Sequence, residues 1–196
     1  MTYVKASVRR PSGNPGNGIQ PKDQLVIYDV DDILSFPQRN DAGVVIEDDI
    51  VMKAGRYAIG IYLTPGTAEI SSNSDGETDA EGYTPSVKFN HPGNEQEIRE
   101  FKTNWLSKKC IVVLRYCSGK PADLIGTPCN PCKLSVSYTG SNESNTNELT
   151  FTQISKGDDI AIYRGTDTLE EPVAVVEAGA TDIDYQTDGQ YQLSAG

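Results

Sequence analysis

The feature that most constrains this chain is its punctuation. Eighteen glycines and 11 prolines, many beside Asn or Asp, cut 196 residues into short apolar runs. The longest runs reach about five residues, as from Cys110 to Leu114, far short of the roughly 20 that a membrane-crossing helix needs. Runs of this length between turn formers predict a mainly β protein, an antiparallel β-sandwich or barrel. Strand-like stretches lie at Gln24 to Val30, Gly43 to Ile46, Ile50 to Lys53, Arg56 to Leu63, Ala68 to Ser71 and Thr84 to Phe89. Cys110 to Cys117 reads as a central strand with Cys132 to Thr139 as its neighbour. Glu148 to Ile154 and Ile160 to Arg164 follow as a pair, with turn chemistry at Lys156-Gly157-Asp158.

One segment breaks the β pattern. Ile98, Phe101 and Trp105 fall at i, i+3 and i+7, a single helical stripe that predicts one flanking α-helix over residues 94 to 106. Asn94 is placed to cap it, Glu97 stands at the reciprocal capping-box position, and Lys108 with Lys109 suits the negative end of the helix dipole. The stripe reads as packing against a sheet rather than as a ligand site.

Three regions follow. Residues 1–23 read as a flexible N-terminal arm, because Pro11 to Lys22 are turn formers with little to bury. Residues 24–176 form the β domain, with Pro172 to Val176 as an edge strand, and residues 177–196 form an acidic tail. The formal charge of -11 argues against a surface that grips nucleic acid phosphates throughout. That charge is uneven. Basic residues stop at Arg164, while Lys88 to Lys133 is locally basic, as simple solvated charge would allow, or as complementary faces for head-to-tail association would require. The first residues contain no apolar stretch of secretory type, so the expectation is a chain made and kept in a cytoplasm with reduced thiols.

Little chemistry is visible. Cys129-Asn130-Pro131-Cys132 has the spacing of a metal or redox pair, and Cys117 lies across the same loop. A zinc or disulfide group of Cys117, Cys129 and Cys132 is therefore the alternative to plain reduced cysteines. Cys110 does not join it readily: an extended strand carries it roughly 23 Å from Cys117 and onto the opposite face. His91 is the single histidine and has no nucleophile signature beside it. Ser118-Gly119-Lys120 runs into Pro121 and lacks the glycine spacing of a phosphate loop. Asp75 to Gly82 carries acids at alternate positions, but a calcium-loop frame would put Lys88 where a bidentate Glu belongs, leaving an exposed acidic loop. Asp31-Asp32-Ile33, Asp48-Asp49-Ile50 and Asp158-Asp159-Ile160 look like acidic turns feeding strands. No catalytic, cofactor or metal residue is assigned.

Short antiparallel strands, one helix, a polar hairpin, a flexible arm and an acidic surface together resemble bacteriophage tail tube proteins and their relatives in contractile injection systems. Val87 to Glu95 leading into the helix, and Leu149 to Asp159 after the hairpin, look like prophage virion proteins of gut bacteria. The cysteine-bearing loop from Cys117 to Cys132 departs from that pattern. The resemblance implies a non-enzymatic virion structural protein, made in the bacterial host cytoplasm, whose copies close into rings, commonly hexamers, that stack around a DNA-conducting lumen. Its partners would be itself, other tail proteins, and passing DNA without specific binding, with no membrane. An acidic inner wall would repel phosphates. The polar hairpin lacks apolar residues to fold onto its own domain, which makes Ser141, Asn142, Asn145 and Asn147 the expected oligomer contacts. The competing classes are a monomeric β-sandwich module binding sugar, protein or calcium, a head or decoration protein, and a small enzyme using its cysteines.

Overall fold

The structure is a computed structural model and describes residues 5–13, 16–18 and 20–169. The expected edge strand at Pro172 to Val176 and the acidic tail lie outside the described residues. Residues 5–13 carry no helix or strand and are exposed.

Among the described residues, twelve strands and one α-helix follow in order: β1 (Pro21–Asp29), β2 (Ile33–Ser35), β3 (Val45–Ile46), β4 (Val51–Met52), β5 (Ile59–Tyr62), β6 (Glu69–Asp75), β7 (Gly82–Pro92), α1 (Gln96–Trp105), β8 (Cys110–Tyr116), β9 (Ala122–Ile125), β10 (Cys132–Gly140), β11 (Asn145–Gln153) and β12 (Ala161–Tyr163). They build two layers. The first runs β3-β12-β9-β8-β1-β5 and the second β10-β11-β7-β6. A single antiparallel residue pair, Cys110 with Cys132, joins β8 to β10 and makes the two layers one folded sheet. β2 and β4 pair separately as a small ribbon.

The strand period of two decides what each layer buries. In β1, Leu25 and Ile27 point between the layers while Val26 and Tyr28 point to the far side. β8 divides likewise, with Cys110, Val112, Leu114 and Tyr116 inward and Ile111 and Val113 outward. Both strands are buried on both faces, which explains their unbroken apolar sequences. The inter-layer core adds Val87, Phe89, Leu149 and Phe151, with the two phenyl rings stacked at 6.3 Å. Each such fully buried side chain contributes about 1.5 to 3 kcal/mol. The far-side core gathers Ile46, Ile50, Ala58, Leu124 and Tyr163 under the excursion that carries β2, β3 and β4.

Four local expectations are corrected. Helix α1 begins at Gln96 with Glu95 at the cap and no side-chain cap bond. Asn94 is engaged instead by long side chains of the helix itself: its Oδ1 accepts from Lys102 Nζ at 2.9 Å and its carbonyl from Arg99 Nε at 2.7 Å. The main neighbours of β8 are β1 and β9, and β10 meets it only at Cys132. β9 was hidden inside the cysteine-bearing loop, because Ala122-Asp123-Leu124-Ile125 is too short to show a period. β12 does not pair with β11; it lies antiparallel to β9 and parallel to β3. The Lys156-Gly157 turn instead carries the chain from one layer to the other, anchored by two backbone bonds between Gly157 and Tyr83, at 2.9 and 3.0 Å.

The helical stripe packs as expected. Ile98 is buried, and Phe101 stacks on Trp105 at 5.6 Å against the inter-layer core.

Candidate functional surface

The cysteines do not converge as a trio. Cys117 and Cys129 are exposed, Cys110 and Cys132 are buried, and all four are free thiols. Cys117 Sγ contacts the Pro21 carbonyl at 3.5 Å, whereas Cys129 lines a hollow of about 350 Å³ with Phe36, Pro37, Arg39 and Pro128. Among the described residues no group of three His, Cys, Asp or Glu side chains is placed to hold a metal ion. β9 and its flanking turns lie between Cys117 and the Cys129-Cys132 pair, and within that pair Cys129 is exposed while Cys132 is buried.

His91 lies in β7 with its ring edge-on to Tyr62 at 6.2 Å and its Nδ1 buried without a partner. Burial holds its pKa below the ordinary 6.5, which favours the neutral ring. Asp75, from the acidic loop, caps the Gly76 N–H at 2.8 Å and pairs with Lys156 at 3.0 Å.

The hairpin residues separate into two kinds. Ser141, Asn142 and Asn145 are exposed. Asn147 is fully buried, accepting from Lys102 Nζ at 2.6 Å and donating to the Gly93 carbonyl at 2.5 Å, so it fastens helix and hairpin within one subunit and offers nothing to a neighbour. The tip is also self-ordered: Ser141 Oγ accepts from the Glu143 and Ser144 N–H groups at 3.2 and 3.1 Å.

A second polar cluster closes the far side of the first layer. Tyr28 donates to Asp167 Oδ1 at 2.6 Å, Arg115 pairs with the other oxygen of Asp167 and donates to the Gly165 carbonyl at 2.7 Å, and Tyr163 donates to the Thr166 carbonyl at 3.3 Å. Each group has a partner, and together they clamp residues 164–169 onto the sheet.

What remains is a surface that the sequence reading did not single out. The register of the second layer places Ser135, Thr150, Lys88 and Glu69 in one row across β10, β11, β7 and β6. Lys133, Thr152, Ser86 and Ser71 form the next row, with Ser71 and Ser86 hydroxyls 2.9 Å apart, and Ser137, Glu148 and Asn90 form a third. All are exposed or half-exposed, and the face carries no aliphatic or aromatic side chain apart from Pro92 at its margin. Lys88 lies 3.5 Å from Glu69, leaving few unpaired charges. The signal was the alternation Lys133-Leu-Ser-Val-Ser-Tyr-Thr against Glu148-Leu-Thr-Phe-Thr, in which the non-core positions are chiefly hydroxyls.

Both margins of this layer are open. Along β6 and along β10 beyond Cys132, the outer backbone groups have no strand partner among the described residues, and neither register is broken by a bulge. Such edges are templates for adding a further strand.

No protein-family model, curated protein or solved structure matches this chain.

Proposed function

We propose that this chain is a non-enzymatic virion structural protein, a tail tube subunit that closes into rings and stacks around a DNA-conducting lumen. The supporting observation is the hydroxyl-faced layer with two open, regular edges. Four antiparallel strands put β10 and β6 in opposite directions, so β6 of one copy laid against β10 of the next continues the sheet in antiparallel sense. Antiparallel pairing is the stronger of the two ladders. The contact is heterologous, and heterologous contacts that close make rings.

The polar face then becomes a wall of that ring. DNA adheres to proteins mainly through cations that displace its counterions. Here hydroxyls dominate, Lys88 is paired with Glu69, and Lys133 is the other cation in the three rows. Such a wall hydrates well and holds no phosphate in place. The resemblance implied repulsion by an acidic wall; scarcity of fixed positive charge serves the same end here.

The test is to place Ser71→Cys and Ser135→Cys, one on each edge strand, in a chain whose exposed Cys117 and Cys129 are serine, and to oxidise it under assembling conditions. A covalent ladder of multimers, with rings or tubes in electron micrographs, is the expected result. Particles that remain monomeric at every concentration and with tail extracts added would sink the proposal in favour of a monomeric binding module. For that module the cleft of about 200 Å³ lined by Tyr57, Trp105, Asp29, Asp32, Arg56 and Lys108 is the place to seek a ligand.

A further inference from the structure

We propose that Cys110 and Cys132 are a modification site: on exposure to a small-molecule disulfide they form an intrachain cystine that locks the two layers of the sandwich together.

Placement comes first. Cys110 opens β8, Cys132 opens β10, and the two face each other as the only residue pair through which β8 and β10 join. Directly opposed residues of an antiparallel pair have Cβ atoms about 4.5 to 5.5 Å apart on the same face. A cystine needs about 3.5 to 4.5 Å, so a small closing motion suffices. Cys110 Sγ already points at its neighbour, contacting the Cys132 carbonyl at 3.4 Å. Both thiols belong to one buried cluster, with Val112 and Leu134 following on the same faces of their strands. Behind Cys132 stands Gly126 at φ +93°, where a Cβ would come within 3.2 Å of Cys132 Sγ. A glycine at that site leaves the sulfur room to turn.

Access is the second requirement, since buried thiols are slow to react. β1 and β9 hold β8 along its length, and β11 holds all of β10. The seam between β8 and β10 consists of one pair. It opens without breaking a ladder, and openings that break few contacts are the frequent ones.

The chemistry balances with the named oxidant. One cysteine loses its proton and attacks the small disulfide, forming a mixed disulfide and releasing one small thiolate. The second cysteine, deprotonated in turn, attacks the protein sulfur of that mixed disulfide and releases the second thiolate. Two protein thiols are oxidised by two electrons, one small disulfide is reduced to two thiols, and the two protons pass to the leaving groups. The new bond closes the loop that carries β9 and both exposed cysteines.

To test this, the full chain with Cys117→Ser and Cys129→Ser, which keeps Cys110 and Cys132 as its only thiols, is incubated folded with oxidised glutathione at mildly alkaline pH. It is then unfolded, titrated for free thiols, and digested for mass spectrometry. The expected result is loss of both thiols in a monomeric chain, a peptide pair joined through Cys110 and Cys132, and a thermal midpoint raised by roughly 5 to 10 °C over the reduced protein. Persistence of both thiols overturns the proposal. So does glutathione retained on one cysteine without closure, a bond between chains, or a linked protein that melts no higher than the reduced one.

Discussion

Lys102, in the second turn of α1, donates its ammonium to the side-chain oxygen of Asn147 in β11 at 2.6 Å. The same asparagine donates to the Gly93 carbonyl at 2.5 Å, just ahead of the helix. One buried amide thus fixes where α1 starts and where the hairpin lies over it. Lys102 also stands 5.2 Å from the centre of the Tyr138 ring on the adjoining strand. Asn147→Ala should cost about 1 to 3 kcal/mol, because the part-buried Gly93 carbonyl loses its donor and the Lys102 ammonium loses one of its two acceptors, keeping Asn94. Urea unfolding monitored by Trp105 fluorescence checks it, and a loss below about 0.5 kcal/mol would contradict the fastening role.

Trp105 contributes less than its size suggests. It is half-buried, stacked on Phe101, with Lys108 5.2 Å from its ring centre on the open side. Trp105→Ala is expected to cost about 2 kcal/mol, below the 3 to 5 kcal/mol typical of fully buried aromatic rings. Ile98→Ala, at 4% exposure, should cost about 3 kcal/mol. Reversal of that order in denaturant titrations would show that the helix is held by its C-terminal rather than its N-terminal half.

Stability should fall on the alkaline side. Burial first, then the adjacent Asp167 carboxylate, raises the Tyr28 phenol well above its ordinary 10.0. Burial with Asp123 raises Tyr116, burial raises Tyr163, and burial with Asp29 pushes the Cys110 thiol up to about 12. For each group the folded form holds its proton more tightly than the unfolded form. The contribution is therefore complete below the ordinary values, 9.0 for the thiol and 10.0 for the phenols, and is lost as pH rises beyond them. Chemical unfolding from pH 7 to about 11 should show a plateau and then a decline. Tyr28→Phe should make that decline shallower while costing about 1 to 2 kcal/mol at pH 7, where Asp167 loses a donor. A steeper decline in the variant would contradict the assignment.

The hydroxyl face yields a test that leaves the core alone. Ser135→Lys with Thr150→Lys places two new cations side by side on one row. The variant should fold within about 0.5 kcal/mol of the parent. It should also bind DNA where the parent does not, with an affinity whose logarithm falls against log salt by about 0.9 for each phosphate engaged. Equal DNA binding by parent and variant in filter retention would remove the argument for a non-adhesive wall.

How legible these features were depends on whether the deciding contact is local. Cys110 to Leu114 could be read as a central strand, and Leu25 to Tyr28 as a strand, because burial on both faces leaves a continuous apolar run. The stripe of α1 was legible for a similar reason, its period being a property of the helix alone. Its cap was not, since Asn94 is claimed by Lys102 eight residues on, whose ammonium is held there by Asn147 of the distant β11. The same holds for β12, which passes over the nearby β11 to pair with β9 and β3 at a distance. The hydroxyl rows lay in plain view as alternation, but joining Ser135 to Thr150, Lys88 and Glu69 needs register, and register is set by the packed core. Asn147 illustrates the opposite error: a polar residue in a polar loop looked exposed, and the fold buries it.

The hairpin tip separates folding from assembly. Its turn is closed by Ser141 N–H donating to the Ser144 carbonyl at 2.7 Å, and Gly140 pairs with Asn145 just below. Removing residues 141 to 147 would take Asn147 with them and confound the two effects. Replacing only Ser141 to Ser144 by Asn-Gly keeps the strands in register through a two-residue turn and spares the buried amide. Melting should stay within about 0.5 kcal/mol of the parent, while stacking of rings weakens because the exposed tip of one ring no longer reaches the next. Salt distinguishes the two contacts. Stacking through complementary charge should weaken between about 0.1 M and 1 M, as the Debye length falls from about 10 to 3 Å. The edge pairing proposed for β6 and β10 would rest on backbone hydrogen bonds and should survive. Sedimentation of both chains at both salts therefore has a defined outcome: single rings at high salt or with the tip removed, and stacks otherwise. If the shortened chain stacks as well as the parent at every salt, the tip has no part in assembly.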